Sequence, residues 1–138
     1  MEKINFENNK TPASATTMNT FQNNIENAIN GKILFEGNSF VDIELNDNVS
    51  NYKYIEFFYT TSNKISGSKK VLSNSEYATL DANLYSVTES KFIQYTRTVA
   101  ISGTNISNYS FQSIEINNSS TNLTNSNYII ITKIVGYK

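Results

Sequence analysis

Carboxylates are the groups with which this chain could do chemistry. Among them are Glu36, Asp42, Glu44, Asp47, Glu56, Asp81, Glu89 and Glu115. Two carboxyl groups flanking a glycosidic bond can act as acid and as base or nucleophile, and Asp42 and Glu44, two apart on one strand face, have a spacing a glycosidase could use. The same spacing is that of the solvent side of a strand whose other face is Val41, Ile43 and Leu45, and this plainer reading carries more weight. The sequence has 0 His and 0 Cys. An imidazole base, a serine triad of the usual kind, a His-bearing metal site and a thiolate nucleophile are thereby excluded. "NDN" at 46–48 loosely resembles a calcium loop but lacks the rest of the ligand spacing, so it reads as a turn. With only 5 Gly there is no glycine-rich phosphate loop. The expectation is a chain with no catalytic residue, no metal and no cofactor.

Binding chemistry is better represented. There are 9 Tyr and 8 Phe, and a tyrosine near a turn can stack on a sugar ring while its hydroxyl bonds it. Tyr77 in "NSEYATLD", Tyr85, and Tyr109 in "NISNYSF" are the candidates for glycan contact. Tyrosines at such positions more often pack or edge a strand.

The formal net charge is -1 and charged residues make up 17%, which offers no field for phosphate backbones or anionic lipid. Neither nucleic acid nor membrane is an expected partner. No run reaches the apolar length of a bilayer span, and Met1 to Lys10 is polar, so synthesis in a cytoplasm without a signal peptide is expected. A chain of 138 residues fits one domain with a short appendage, able to bury roughly two thirds of its unfolded surface. Asn, Ser and Thr dominate the polar positions, as suits a many-turned β-protein, although an AT-rich genome would give the same bias.

The elements that must position these groups fall into three parts. Residues 1–13 form a polar leader or anchor. Residues 14–31 read as a helix, with Ser14 as N-cap, Asn30 and Gly31 as the stop, and an apolar stripe of Met18, Phe21, Ile25, Ala28 and Ile29. Asn24 falls on the outer face in this reading. Asn19, Asn23, Asn24 and Asn27 are weak helix formers, so the helix needs a surface against which to bury its stripe. That surface is either the rest of its own chain or copies of itself in a short parallel coiled coil, and pattern alone leaves both open. From residue 32 to 138 the period becomes that of strands: "KILFEG", "FVDIEL", "YKYIEFFYTT", "KVL", "NLYSVT", "KFIQYTRTVAIS", "YSFQSIEI" and "YIIITKIVGY". The expected class is mainly β, a short N-terminal helix followed by an antiparallel β-sandwich or jelly-roll head. In the closing strand Ile129, Ile130, Ile131, Ile134 and Val135 put apolar groups on both faces. Either Ile129 with Ile131, or Ile130 with Ile134, is therefore expected against another chain.

The stretch Lys3 to Asn30, "KINFENNKTPASATTMNTFQNNIENAIN", resembles the opening of tail-fibre and minor virion structural proteins of phages infecting Gram-positive bacteria. Those openings run as a short "INF" piece, a "TP" dipeptide, a small-residue cap and an Asn-rich helix ending "NIENAI". The ending "YIIITKIVGYK" resembles the closing strand of the same class. Ser14, Thr17 and Met18 stand where the class more often has Asn, Asn and Leu. The resemblance implies a non-enzymatic phage virion protein, a short homotrimeric fibre or spike whose helix is trimeric and coiled-coil-like. It further implies other virion proteins as partners through the N-terminal segment, and host cell-wall glycan as a ligand of the head. A lectin-like glycan-binding module is the alternative, and a carboxylate-based glycan depolymerase a distant third.

Overall fold

The structure is a computed structural model that describes residues 15–138. The leader of residues 1–13 and the capping Ser14 lie outside the described residues. Helix α1 (Ala15–Ile29) comes first, then β1 (Lys32–Ser39), β2 (Ile43–Glu44) and a single 3-10 turn at Val49–Asn51. There follow β3 (Tyr54–Thr61), β4 (Ser66–Leu72), β5 (Tyr77–Ser86), β6 (Lys91–Ser102), β7 (Asn105–Ile116), β8 (Thr121–Thr124) and β9 (Ile129–Tyr137). The protein is mainly β, as its turn-rich, alternating sequence implies.

Two antiparallel sheets pack face to face and curl into a half-barrel. Sheet A has the order β1-β9-β3-β4. Sheet B runs β2-β7-β6-β5, with β8 also on β7. β3 and β4 form a hairpin, β5 to β8 a meander, and β9 returns to sheet A between β1 and β3. The core lies between the sheets, where Leu34, Ile55, Phe57, Leu80, Val99, Ile106, Ile129, Ile131 and Ile134 are essentially sealed from water. β3 alternates cleanly, with Ile55, Phe57, Tyr59 and Thr61 inward and Tyr54, Glu56, Phe58 and Thr60 half-buried on the outside.

Among these apolar groups sits Arg97 of β6, 0% exposed. Its Nη1 donates to the carbonyls of Ser39 at 2.8 Å and Ile129 at 3.0 Å, its Nη2 to that of Val41 at 3.1 Å, and its Nε to Asn108 Oδ1 at 2.8 Å. Burial pushes its pKa down to about 10, against which the nearby Asp42 carboxylate acts, so it stays charged at neutral pH. One guanidinium thus ties sheet B to the end of β1, the start of β9 and the crossover between β1 and β2.

That tie corrects the expected continuous strand over 40–45. Only Ile43 and Glu44 pair, with Ile106 and Asn105. The chain bends at Phe40 and Val41 because the carbonyls of Ser39, Phe40 and Val41 turn inward to Arg97 and Asn108. Val41 is consequently 67% exposed while Ile43 and Leu45 enter the core. β8 also arises outside the expected strands, since Thr121–Thr124 are polar and exposed and carry no burial signal.

The closing strand departs from strict alternation. A register shift against β3 falls between Phe58 and Tyr59, where the partners step from Lys133 to Ile131. This bulge changes the parity, so Ile129, Ile131 and Ile134 all point into the chain's own core. Neither expected pair is left for another chain. Ile130 is half-buried on the outer face.

Two outcomes follow from this packing. Arg97→Met strands the buried carbonyls of Ser39 and Ile129, while that of Val41 keeps the Ser39 hydroxyl; at about 1–3 kcal/mol for each, a net loss of about 2 kcal/mol is expected even after relief of the buried charge. Urea unfolding at neutral pH measures it, with Arg97→Lys falling between. Ile131→Ala should cost about 2–5 kcal/mol, and Ile130→Ala clearly less because its site is partly open. Equal losses in the same assay would contradict the parity given by the bulge.

Candidate functional site

Three surfaces carry groups that could engage a partner. The first is α1. Met18, Phe21, Ile25 and Ile29 are 51%, 46%, 37% and 70% exposed, so the predicted stripe is present and is not covered by the sandwich. The side chain of Ala28, the fifth residue of that stripe, lies outside the described residues. Thr17, Thr20 and Asn24 are half-buried instead, and the Asn24 side-chain nitrogen is enclosed with no hydrogen-bond partner. Asn24 is therefore not the outer-face position expected from the sequence; Asn23 is exposed.

The helix joins the sandwich at Gly31, which has φ +72. A side chain there would be strained, and its Cβ would collide with Val135 and with the carbonyl of Gly136. This close approach seats the end of α1 on β9 and buries Val135, which is 4% exposed. Beside it, Tyr137 Oη donates to Glu56 Oε2 at 2.8 Å, and Lys70 Nζ lies 4.2 Å from the Tyr137 ring centre. Asp47 closes the same end of the molecule. It accepts from the hydroxyl of Tyr52 at 2.7 Å, from Lys32 at 3.0 Å, and from Asn51 and the amide of Asn48 at 2.8 Å. These donors, Tyr52 foremost, hold its carboxyl well below the usual range. The carboxylate is engaged in a turn, as "NDN" was read.

The second surface holds the nominated tyrosines, of which the fold brings together two. Tyr77 opens β5 and Tyr109 lies on β7, with ring centres 4.8 Å apart and planes tilted by 56°. Tyr109 is the extra residue of a bulge between the pairs Thr98 with Ser110 and Val99 with Asn108. β6 runs between the two strands, and the small Ala100 opposite Tyr77 leaves room for the rings to meet. Tyr85 stands eight residues along β5 from Tyr77, roughly 26 Å away at strand rise, 63% exposed and without a ring partner among the described residues. Asp42 and Glu44 are both exposed. Asp42 Oδ1 accepts the backbone N–H of Asn108 at 2.8 Å, a structural bond that ties the crossover to β7.

The third surface was not singled out in the sequence. Sheet A reaches its Thr61–Ile129 pair and the turn at Ser62 and Asn63, while β6, β7 and β8 run on beneath it. The uncovered inner face is a cleft of about 360 Å³. Tyr95 and Tyr128 form its aromatic wall, with ring centres 5.0 Å apart and planes tilted by 48°. Asn63 Nδ2 donates to Tyr95 Oη at 2.9 Å. Burial, with the neighbouring Tyr128 phenol, raises the Tyr95 pKa, which keeps the hydroxyl neutral. Ser113, Asn122 and Thr124 line the floor. Lys91 closes one end, bonded to Glu89 at 2.7 Å and Glu115 at 3.5 Å. The signal for this cleft lies in strand register: Ser113 and Glu115 alternate in phase with Tyr95 and Ile93, so polar groups occupy inward positions.

No protein-family model matches the chain, and no curated protein matches it. Among the described residues no group of three or more acidic side chains is placed to hold a metal, and no helix is long and apolar enough to cross a membrane.

The helix junction makes a pH prediction. Burial, then the hydrogen bond and charge of Glu56, push the Tyr137 pKa up to about 12 from about 10. Below pH 10 both folded and unfolded phenols are neutral and the stabilisation is complete. As pH rises toward 12 the unfolded phenol ionises first, and the contribution is lost. Thermal melts of the wild type should therefore fall more steeply between pH 10 and 12 than those of Tyr137→Phe.

Proposed function

We propose that this chain is a virion structural protein of a phage or phage-derived particle, a short homotrimeric fibre or spike without enzymatic activity. In this reading α1 is the self-association element, the sandwich of residues 32–138 is the head, and the segment before α1 engages other virion proteins. The observation that carries it is the exposure of Met18, Phe21, Ile25 and Ile29 on a helix whose half-buried positions are polar. An Asn-rich helix of 15 residues is marginal by itself in water. A stripe left open by its own domain is best stabilised by a second copy of the same stripe. The number of copies, three, comes from the resemblance of residues 3–30 and 128–138 to phage fibre components. Localisation in a virion rests on the same resemblance.

Sedimentation velocity tests this reading: the full chain should run as a trimer at micromolar concentration, with a concentration-dependent melting temperature. Ile25→Asp places a carboxylate in the apolar seam and should weaken association at least tenfold, or by about 1.4 kcal/mol or more. Asn23→Asp, on an exposed polar face, should leave the trimer unchanged. A monomeric wild type, or equal effects of the two substitutions, would overturn the assembly role of α1.

A further inference from the structure

We infer that the cleft between the end of sheet A and the inner face of β6, β7 and β8 binds an uncharged saccharide, one copy of the cleft per protomer. The cleft is formed within the fold of a single chain, so its ligand can be tested separately from trimerisation.

Unspent hydrogen-bonding capacity is the first argument. Ser113 is only 7% exposed and its side chain makes no hydrogen bond to another described residue. The side chains of Asn122 and Thr124 make none either. The Tyr95 hydroxyl accepts from Asn63 but has no described acceptor for its own proton, and Asn63 Oδ1 remains open. The Ser113 hydroxyl is not sealed from water, and it sits among the exposed amide and hydroxyl groups of Asn63, Asn122 and Thr124 around one volume open to a ligand. These groups offer both donors and acceptors, as the vicinal hydroxyls of a sugar require.

The second argument is the wall. Tyr128 is 37% exposed and leans against Tyr95, so a tyrosine ring borders the same space into which the polar groups project. Sugar rings carry an apolar C–H face and a polar rim, and an aromatic ring beside amides complements both at once. The volume of about 360 Å³ is at the small end of the range for ligand sites, ~300–1,000 Å³.

Charge narrows the class. Lys91 is the one cation among the lining residues, and it is already paired with Glu89 and Glu115. A phosphate or uronate would meet no free cation, and a cationic ligand would meet a carboxylate that is already paired. A wholly apolar ligand would strand the free amides and hydroxyls. A neutral sugar meets none of these penalties.

The experiment is saturation-transfer NMR on the full chain with glucose, galactose, N-acetylglucosamine and their β-1,4-linked disaccharides, beside glucuronate and adenosine. At least one neutral sugar should show transfer to its ring C–H protons. Asn122→Ala and Tyr128→Ala should each weaken binding of that sugar roughly tenfold, the effect of about 1.4 kcal/mol. Tyr85→Ala and Tyr77→Ala, on the opposite face of sheet B, should leave it unchanged. Sedimentation of the same variants should show the wild-type assembly state, which separates loss of the cleft from loss of the fibre. Should Tyr128→Ala fail to fold, Asn122→Ala, an exposed position on β8, carries the test. Absence of transfer from every neutral sugar, binding confined to glucuronate or adenosine, or binding insensitive to Asn122→Ala would each overturn the inference.

Discussion

The arrangement of the two sheets depends on one buried cation. A guanidinium removed from water must have its donors met by acceptors, and in the core of this sandwich the acceptors within reach are backbone carbonyls of chain segments distant in sequence. Arg97 gathers Ser39, Val41 and Ile129, and so fixes where β1 ends, where β9 begins and how the crossover passes between the sheets. Among the described residues no carboxylate is bonded to it; Asp42 supports its charge from nearby while bonding the amide of Asn108. The cost of this arrangement is local. The segment carrying Phe40 and Val41 cannot continue as a strand, and both side chains face water.

From that constraint comes the division of the inner face of sheet B. Where sheet A covers it, the inward residues are Leu80, Val99, Ile101 and Ile106. Beyond the Thr61–Ile129 pair they become Ser113, Glu115, Asn122 and Thr124, with Tyr95 at the boundary. A sandwich core tolerates such a row of polar groups only where each finds a partner, and among these Glu115 alone is paired, with Lys91. They can persist only where water or a ligand reaches them. The same meander of strands therefore supplies core at one end and a polar-lined cleft at the other, with no change of backbone structure between them.

How much of this was legible beforehand follows from what alternation can and cannot encode. The helix with its stop at Gly31, and the strands with long alternating runs, announced themselves, since periodicity reports burial within one element. Its failures have one physical cause. Bulges at Tyr109 and beside Lys133 change the parity of a strand without any mark in the residue types, so the outward aim of Tyr109 and the inward aim of Ile134 required the pairing partners. Val41 was misread because a long-range bond to Arg97 overrode local pattern. The cleft was invisible for a related reason: a polar residue at an inward position looks like a solvent-facing one until the register of β6, β7 and β8 is known. Among the nominated tyrosines, composition and turn proximity located exposed rings but could not say that Tyr77 and Tyr109 meet while Tyr85 stands apart.

The position of β9 links folding of the sandwich to the placement of α1. This last strand lies between β1 and β3, so sheet A has no continuous centre until residues 129–137 are in place. Pairing of Lys32 with Gly136 joins residues more than a hundred positions apart, a closure that is entropically costly. The seat of α1 is made of that same strand: Gly31 approaches Val135 and Gly136, and Tyr137 locks onto Glu56 beside them. The helix is therefore fixed to the head only once the C-terminal strand has docked. Before docking, α1 is a marginal Asn-rich segment with little reason to order. After docking, its exit from the sandwich is held in one direction with the apolar stripe outward. On the proposal that α1 is a self-association element, this dependence would present its seam on folded heads in preference to incomplete ones.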